Sequence, residues 1–246
     1  GQFLGAEGLR YAMDAMRRKG EALGGGFMSW NYNEPWPNGA GSYMIDYDGR
    51  PLMNYHFTKQ ALSQVSLSLK YASLLFDPAI GLHTEVFLVS DAPAPVANVK
   101  WNWVARDCKG TVLAEQKGIG SINPIEVKSL GKIHIVPTQE LKTGPLFVEL
   151  QLHDANDQLI SERLHVFGPA GITAPLAGLL RNQESDAKPA ETASAPNARW
   201  MPVARTSMEA KSMPVRMEND QEILELVIKN SGSMTALFCE PHPMAN

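Results

Sequence analysis

The chemically densest stretch of this chain is Gly26-Phe27-Met28-Ser29-Trp30-Asn31-Tyr32-Asn33-Glu34-Pro35-Trp36-Pro37-Asn38, continuing to Asp46-Tyr47-Asp48-Gly49-Arg50-Pro51. Aromatic faces stack on the C–H surfaces of sugar rings, and Asn and Glu side chains hydrogen-bond hydroxyls. Both kinds crowd one segment here, which suits a carbohydrate. A rigid loop with its aromatics packed beneath it is the simpler reading of the same residues. Glu34 could also work as an acid or base with Asp46 or Asp48, but one loop cannot establish the geometry that a carboxylate pair needs.

The elements that must carry this loop have their own signals. Phe27–Tyr32 reads as a short strand covered on both faces with helices on either side in sequence, the pattern of a parallel α/β sheet. In barrels the C-terminal end of such a strand is where active sites form. Ahead of it, residues 2–19 read as a helix with Leu9, Ala12, Met13 and Met16 on one face. Arg10, Asp14, Arg17 and Arg18 fall on the other face, which predicts surface pairing and a solvated basic end at Arg17-Arg18-Lys19 rather than a phosphate site. Pro51 opens a second helix, with Leu52, Tyr55, Leu62 and Val65 at helical spacing, running to about Leu67. An interior parallel strand needs a neighbour on each side, so residues 1–67 are expected to depend on chain upstream of Gly1.

Beyond residue 67 the period changes from helical to alternating. Segments 70–76, 84–90, 96–106, 111–117, 132–136, 146–153 and 158–167 read as strands, and seven at this spacing predict an immunoglobulin-like β-sandwich over 68–168. Val99, Trp101 and Trp103 share one face, which assigns both tryptophans to the core rather than to a sugar platform. His153 and His165 lie on paired strands joined by the Asp154–Asp157 turn, at opposite ends of the hairpin, so a shared metal is not expected. Residues 169–200 lose all pattern and read as a linker. A hairpin of Glu222–Lys229 with Met234–Glu240 suggests that 201–246 opens a second sandwich, with Met208, Met213 and Met217 as packing residues.

Bulk properties exclude several partners. The 246 residues carry a net charge of −4, with a pI near 5.9, which removes the electrostatic argument for nucleic acid or an anionic membrane. No apolar run approaches the roughly 20 residues of a membrane span. Cys108 and Cys239 have no metal-type spacing.

Trp30-Asn31-Tyr32-Asn33-Glu34-Pro35-Trp36-Pro37, followed by Ile45-Asp46-Tyr47-Asp48-Gly49-Arg50-Pro51 and Tyr55, resembles the eighth barrel strand and following helix of glycoside hydrolase family 2. The β-mannosidase and exo-β-glucosaminidase branch is the nearest. Gln2–Glu7 through Arg17–Lys19 is similar to the helix before that strand, and Glu222–Pro241 to the start of a further sandwich. The resemblance implies a fold of three parts: the C-terminal portion of a (β/α)8 TIM barrel over 1–67, an immunoglobulin-like sandwich, and the start of a second one. It implies a parent enzyme that cleaves terminal β-glycosidic bonds with retention, using two glutamates about 5 Å apart and no cofactor or metal. In the family those glutamates stand on the fourth and seventh strands, upstream of residue 1, so no catalytic residue is carried over. Trp30 matches the tryptophan that walls the terminal sugar subsite. Asn33 and Glu34 match the Asn-Asp/Glu pair at its rim, and Trp36 lies in a loop of variable length. The implied partners are a carbohydrate and the rest of the parent chain. A non-catalytic carbohydrate-binding or structural sandwich module is the alternative.

Overall fold

The computed structural model describes residues 2–20, 26–37, 43–142, 144–170, 208–212, 216–218, 221–223 and 226–232. Two helices, α1 (Gln2–Arg18) and α2 (Met53–Ala61), precede eight strands: β1 (Val65–Lys70), β2 (Leu75–Phe76), β3 (Leu82–Ser90), β4 (Val96–Asp107), β5 (Val112–Ile122), β6 (Val127–Ile135), β7 (Leu146–His153) and β8 (Leu159–Pro169). They form two sheets, a three-stranded one in the order β1-β3-β6 and a five-stranded one in the order β2-β8-β7-β4-β5. Every neighbouring pair is antiparallel except β2 with β8, which is parallel.

Alternation accounts for the core. Leu146, Val148, Leu150 and Leu152 of β7 are essentially enclosed, and Val99, Trp103 and Ala105 of β4 join them from the same sheet. Leu67 and Leu69 of β1, Val86 and Leu88 of β3, and Ile133 and Ile135 of β6 supply the facing layer. Period-2 side chains from two sheets thus fill one slab, as in a sandwich. Trp103 is 7% exposed, in keeping with its expected core position, whereas Trp101 is only partly buried and packs against the core's edge. Its indole lies over Gly118, where an added Cβ would stand 2.4 Å from Cζ2. Gly118→Ala is therefore expected to push the indole aside at about 1–3 kcal/mol of stability, read as a lowered urea midpoint with altered tryptophan fluorescence.

Several boundaries differ from the sequence expectation: the strand expected at 70–76 falls between β1 and β2, β5 runs on to Ile122, and β6 starts at Val127. The second helix stops at Ala61 and Val65 opens β1 instead of continuing the helix. The Val65-Ser66-Leu67-Ser68-Leu69 run alternates, and this period prevails because both of its faces are covered: all five residues are buried. Pro51 lies outside α2, bridged to Ile45. The last strand of the sandwich continues through Gly168 and Pro169, which pair with Leu75 and Phe76 of β2, so the expected linker begins later than 169.

No barrel is formed by the described part of residues 1–67. The expected strand at Phe27–Tyr32 has no ladder partner among the described residues; the pairing nearest to it is a parallel bridge between Asn33 and Ile45.

Past the sandwich, β9 (Met208–Ser212) pairs antiparallel with β12 (Leu226–Asn230), and β10 (Arg216–Glu218) with β11 (Gln221–Ile223). The strand at 226–230 thus takes an upstream partner; its expected one, Met234–Glu240, lies outside the described residues, as do Met213 and residues 171–200 of the linker.

Candidate functional site

The loop at Trp30–Trp36 is held from beneath by backbone alone. Tyr32 O accepts from the amides of Met44 and Ile45 at 3.0 and 3.1 Å, and Glu34 N donates to Ile45 O at 3.1 Å. Leu52 N donates to Met44 O at 2.8 Å, and Asn54 of α2 donates through Nδ2 to Tyr43 O at 3.1 Å. The loop therefore rests on the 43–46 segment, and that segment rests on α2. Above it the side chains face outward: Trp30 is 88% exposed and Met28 96%, with Tyr32, Trp36 and Tyr47 also exposed. A polar surface does not ordinarily present so many large apolar groups together without a ligand or partner to cover them. The Trp30–Asn31 peptide is cis.

Of the four candidate contacts, Trp30, Asn33 and Trp36 are exposed, and Glu34 is buried at 8% exposure. The suggested carboxylate partners of Glu34 are engaged elsewhere. Asp46 accepts from Arg50 N and from Arg50 Nε, both at 2.8 Å, and Asp48 accepts from Arg50 NH2 at 3.2 Å. The backbone hydrogen bond from Arg50 leads the forces that hold the Asp46 carboxyl below its ordinary range. Two carboxylates committed to one guanidinium in a tight turn are structural, and among the described residues none is paired with Glu34.

A second polar cluster escapes sequence reasoning altogether. Arg10 and Asp14 of α1, expected at the surface, are 1% and 2% exposed and lie against the sandwich. Arg163 of β8 forms an ion pair with Asp14 at 2.5 Å and donates to Gln60 O at 2.9 Å and Ser66 Oγ at 3.0 Å. Arg10 pairs with Glu7, donates to Gln60 Oε1 at 3.0 Å and to Leu164 O at 2.8 Å, and lies over the Phe57 ring at 4.2 Å. The Tyr71 hydroxyl donates to Glu7, whose other near neighbour is His165 Nδ1 at 3.1 Å. At the basic helix end Lys19 is exposed as expected, but Arg17 and Arg18 are half-buried: Arg17 pairs with Asp91 at 2.7 Å, and Arg18 donates to Ser68 Oγ and to Leu69 O.

This cluster explains two oddities of sequence. The serines of β1 point at the α1 arginines while its Val and Leu residues face the core. Arg163 and His165 stand in register with Leu150 and Val148, on the core side of β8, where a charge must find a partner. That parity was the available signal, though it cannot say what the partner is. His153 pairs with Leu159 beside the turn and His165 with Val148 well up the hairpin, so the two histidines are kept apart as expected.

Burial alone would raise the Glu7 carboxyl, but the Arg10 charge, the His165 imidazole and the Tyr71 hydrogen bond outweigh it and hold Glu7 at about 2. Burial and then the Arg10 charge push His165 down to about 4, with Glu7 opposing. Burial sends the Tyr71 hydroxyl well above its usual value, so it stays a donor. Groups so arranged make a rigid seam rather than a reaction centre: each carboxylate is already neutralised and the cluster is closed to solvent.

Comparison with known proteins gives the class of this fold. Residues 83–170, from β3 to just past the end of β8, match the sequence family described as Mannosidase Ig/CBM-like domain. More particularly, the chain is similar in fold to the exo-chitosanase of Amycolatopsis orientalis, at a TM-score of 0.58 and 14% identity, over 94% of this chain and 26% of that one. It is similar also to the β-D-mannosidase of Dictyoglomus thermophilum, at a TM-score of 0.53 and 14% identity, over 91% of this chain and 28% of that one. The chain thus spans about a quarter of the length of these glycoside hydrolases. No curated protein matches it.

Proposed function

We propose that this chain is part of a retaining β-glycosidase of glycoside hydrolase family 2, β-mannosidase-like in its substrate. It supplies one wall of the terminal sugar subsite and not the catalytic glutamates. The observation that carries this reading is a conjunction within one chain. A sandwich matching a mannosidase Ig/CBM-like family follows directly on a loop that exposes Trp30 and Trp36. The fold likeness to two β-glycosidases extends through both parts, covering more than nine-tenths of the chain. In this reading residues 1–67 complete a TIM barrel whose other strands flank Phe27–Tyr32, and the segment beyond 201 opens a second sandwich.

The roles follow from chemistry. Trp30 offers an indole face to the C–H side of a pyranose, and Trp36, exposed in the same loop, offers a second. Asn33 bonds hydroxyls through its amide, and the buried Glu34 shapes the rim from below. The two glutamates that perform hydrolysis belong to the parent's other strands, and no cofactor is required. Accordingly the chain is expected to hydrolyse neither an aryl β-mannoside nor an aryl β-glucosaminide. Measurable turnover that disappears in Glu34→Gln would place the chemistry on this loop and overturn the proposal. Trp30→Ala, at an exposed position, is expected to leave the urea midpoint within about 0.5 kcal/mol of the unaltered chain while removing sugar contact at the loop.

A second reading makes the sandwich itself a carbohydrate-binding module, favoured by its CBM-like match and by a groove of about 650 Å³ over β4 and β5. The register speaks against a sugar platform there. Lys100, Asn102 and His153 share one face of the sheet, while Trp101 and Trp103 share the other with Leu150 and Leu152. Trp101 and Trp103 both border the groove, but Trp103 is buried in the core and Trp101 is half-buried with its indole over Gly118.

A further inference from the structure

His165 sits in the seam between α1 and the sandwich with 1% of its surface exposed. Its Nδ1 lies 3.1 Å from Glu7 Oε1 and 3.3 Å from Arg10 NH2. Glu7 Oε1 only accepts and the Arg10 guanidinium only donates, so Nδ1 faces one acceptor and one donor, and these contacts do not fix which nitrogen of the neutral ring holds the proton. The ring's Nε2 is buried and has no hydrogen-bond partner. The ionisable groups facing the ring are Glu7, Arg10 and Asp14 from α1, Arg163 from β8, and Tyr71 just after β1. Arg17 and Arg18, one turn further along α1, face Asp91, Ser66 and Ser68. With His165 neutral, two carboxylates balance the two guanidiniums of the inner cluster. In the doubly protonated ring Nε2 is a donor without an acceptor, and an uncompensated charge is shut away from water.

We propose that His165 is an acid-operated latch, whose protonation releases α1, together with α2, from the sandwich while the sandwich itself stays folded. The two parts can separate because their cohesion differs in kind. The sandwich is held by an apolar slab between its own sheets. The seam combines the polar cluster with a smaller apolar share from α1, in which Tyr11 and Ala15 join the core and Phe3 and Leu4 pack against it. Once α1 lifts, the imidazole reaches water and its new proton is solvated.

The direction of the effect follows from the ring's environment. Burial lowers His165 from an ordinary 6.5 to about 4, so the opened state takes up a proton more readily than the closed one. The seam is at full strength above about pH 6.5 and weakens as pH falls toward 4. Glu7, held at about 2 against an ordinary 4.5, adds its own loss only below about pH 4.5. Between pH 6.5 and 5 the latch therefore works through His165. This inference does not depend on any sugar ligand.

The test is amide hydrogen exchange of the full chain at pH 7.5, 6 and 5, corrected for intrinsic exchange, comparing α1 peptides with those of β4 and β7. The opening constant of α1 is expected to rise on the order of thirtyfold between pH 7.5 and 5, with β4 and β7 unchanged. In His165→Gln the rise should vanish. Joint loss of protection in α1, β4 and β7, or a rise that persists in the variant, overturns the latch. If the variant does not fold, the His165 ring is followed by NMR in the unaltered chain. Titration at the ordinary histidine value while α1 remains protected also overturns it. Protonation that accompanies α1 opening supports it.

Discussion

Replacing Arg163 by leucine should destabilise the chain by about 3–5 kcal/mol, because it strands the Asp14 carboxylate in a place that water does not reach. Arg163 and Asp14 are both almost fully enclosed, and their ion pair closes the seam between β8 and α1. The loss exceeds the worth of the pair itself, since what remains is an uncompensated charge, and Gln60 O and Ser66 Oγ each lose one of their donors. Changing both partners, Asp14→Leu with Arg163→Leu, removes charge and countercharge together and should recover a large part of the deficit. Urea denaturation followed by circular dichroism gives both values. A cost below about 1 kcal/mol for Arg163→Leu would mean that the pair behaves as a solvated surface bridge, contrary to the seam described.

Gly81→Ala should cost a comparable amount for a wholly different reason. Gly81 has φ +96°, and an added Cβ would lie 2.1 Å from Ile135 O, a backbone atom of β6 that cannot turn away. The clash would force β3 and β6 apart at the start of their ladder, where Leu82 pairs with Ile135. Gly131 provides the control. It also has a positive φ, of +127°, but open space where its Cβ would stand. Gly131→Ala should show only the backbone strain, about 1–2 kcal/mol, whereas Gly81→Ala should exceed it by at least that much again. Equal midpoints for the two variants would contradict the close approach at Gly81.

The sandwich was largely legible because its information is local. The alternation in Leu146–Leu152 can be read without knowing what lies opposite, and the structure buries those leucines and Val148 in the slab between the sheets. The end of α2 was misjudged because Val65 fits two periods at once, helical with Leu62 and alternating with Leu67. Only the cover on both faces of β1 decides between them. The seam was illegible for a deeper reason. Arg10 and Asp14 on one helix face look like a solvated stripe, and the partner that buries Asp14 stands 149 residues away on β8. Local periodicity carries no trace of a contact at that range. Of the candidate site, the residue types are legible in the sequence, while the outward stance of Trp30 and Trp36 is seen only in the structure.

The most direct measurement of the central claim is a two-dimensional NMR titration of the chain with methyl β-mannoside and methyl β-glucosaminide, following the tryptophan indole N–H signals. The account predicts that the Trp30 and Trp36 indoles shift with sugar and that those of Trp101 and Trp103 do not, the response being lost in Trp30→Ala. Shifts confined to Trp101 and Trp103 that survive Trp30→Ala would move carbohydrate recognition to the sandwich and contradict the account.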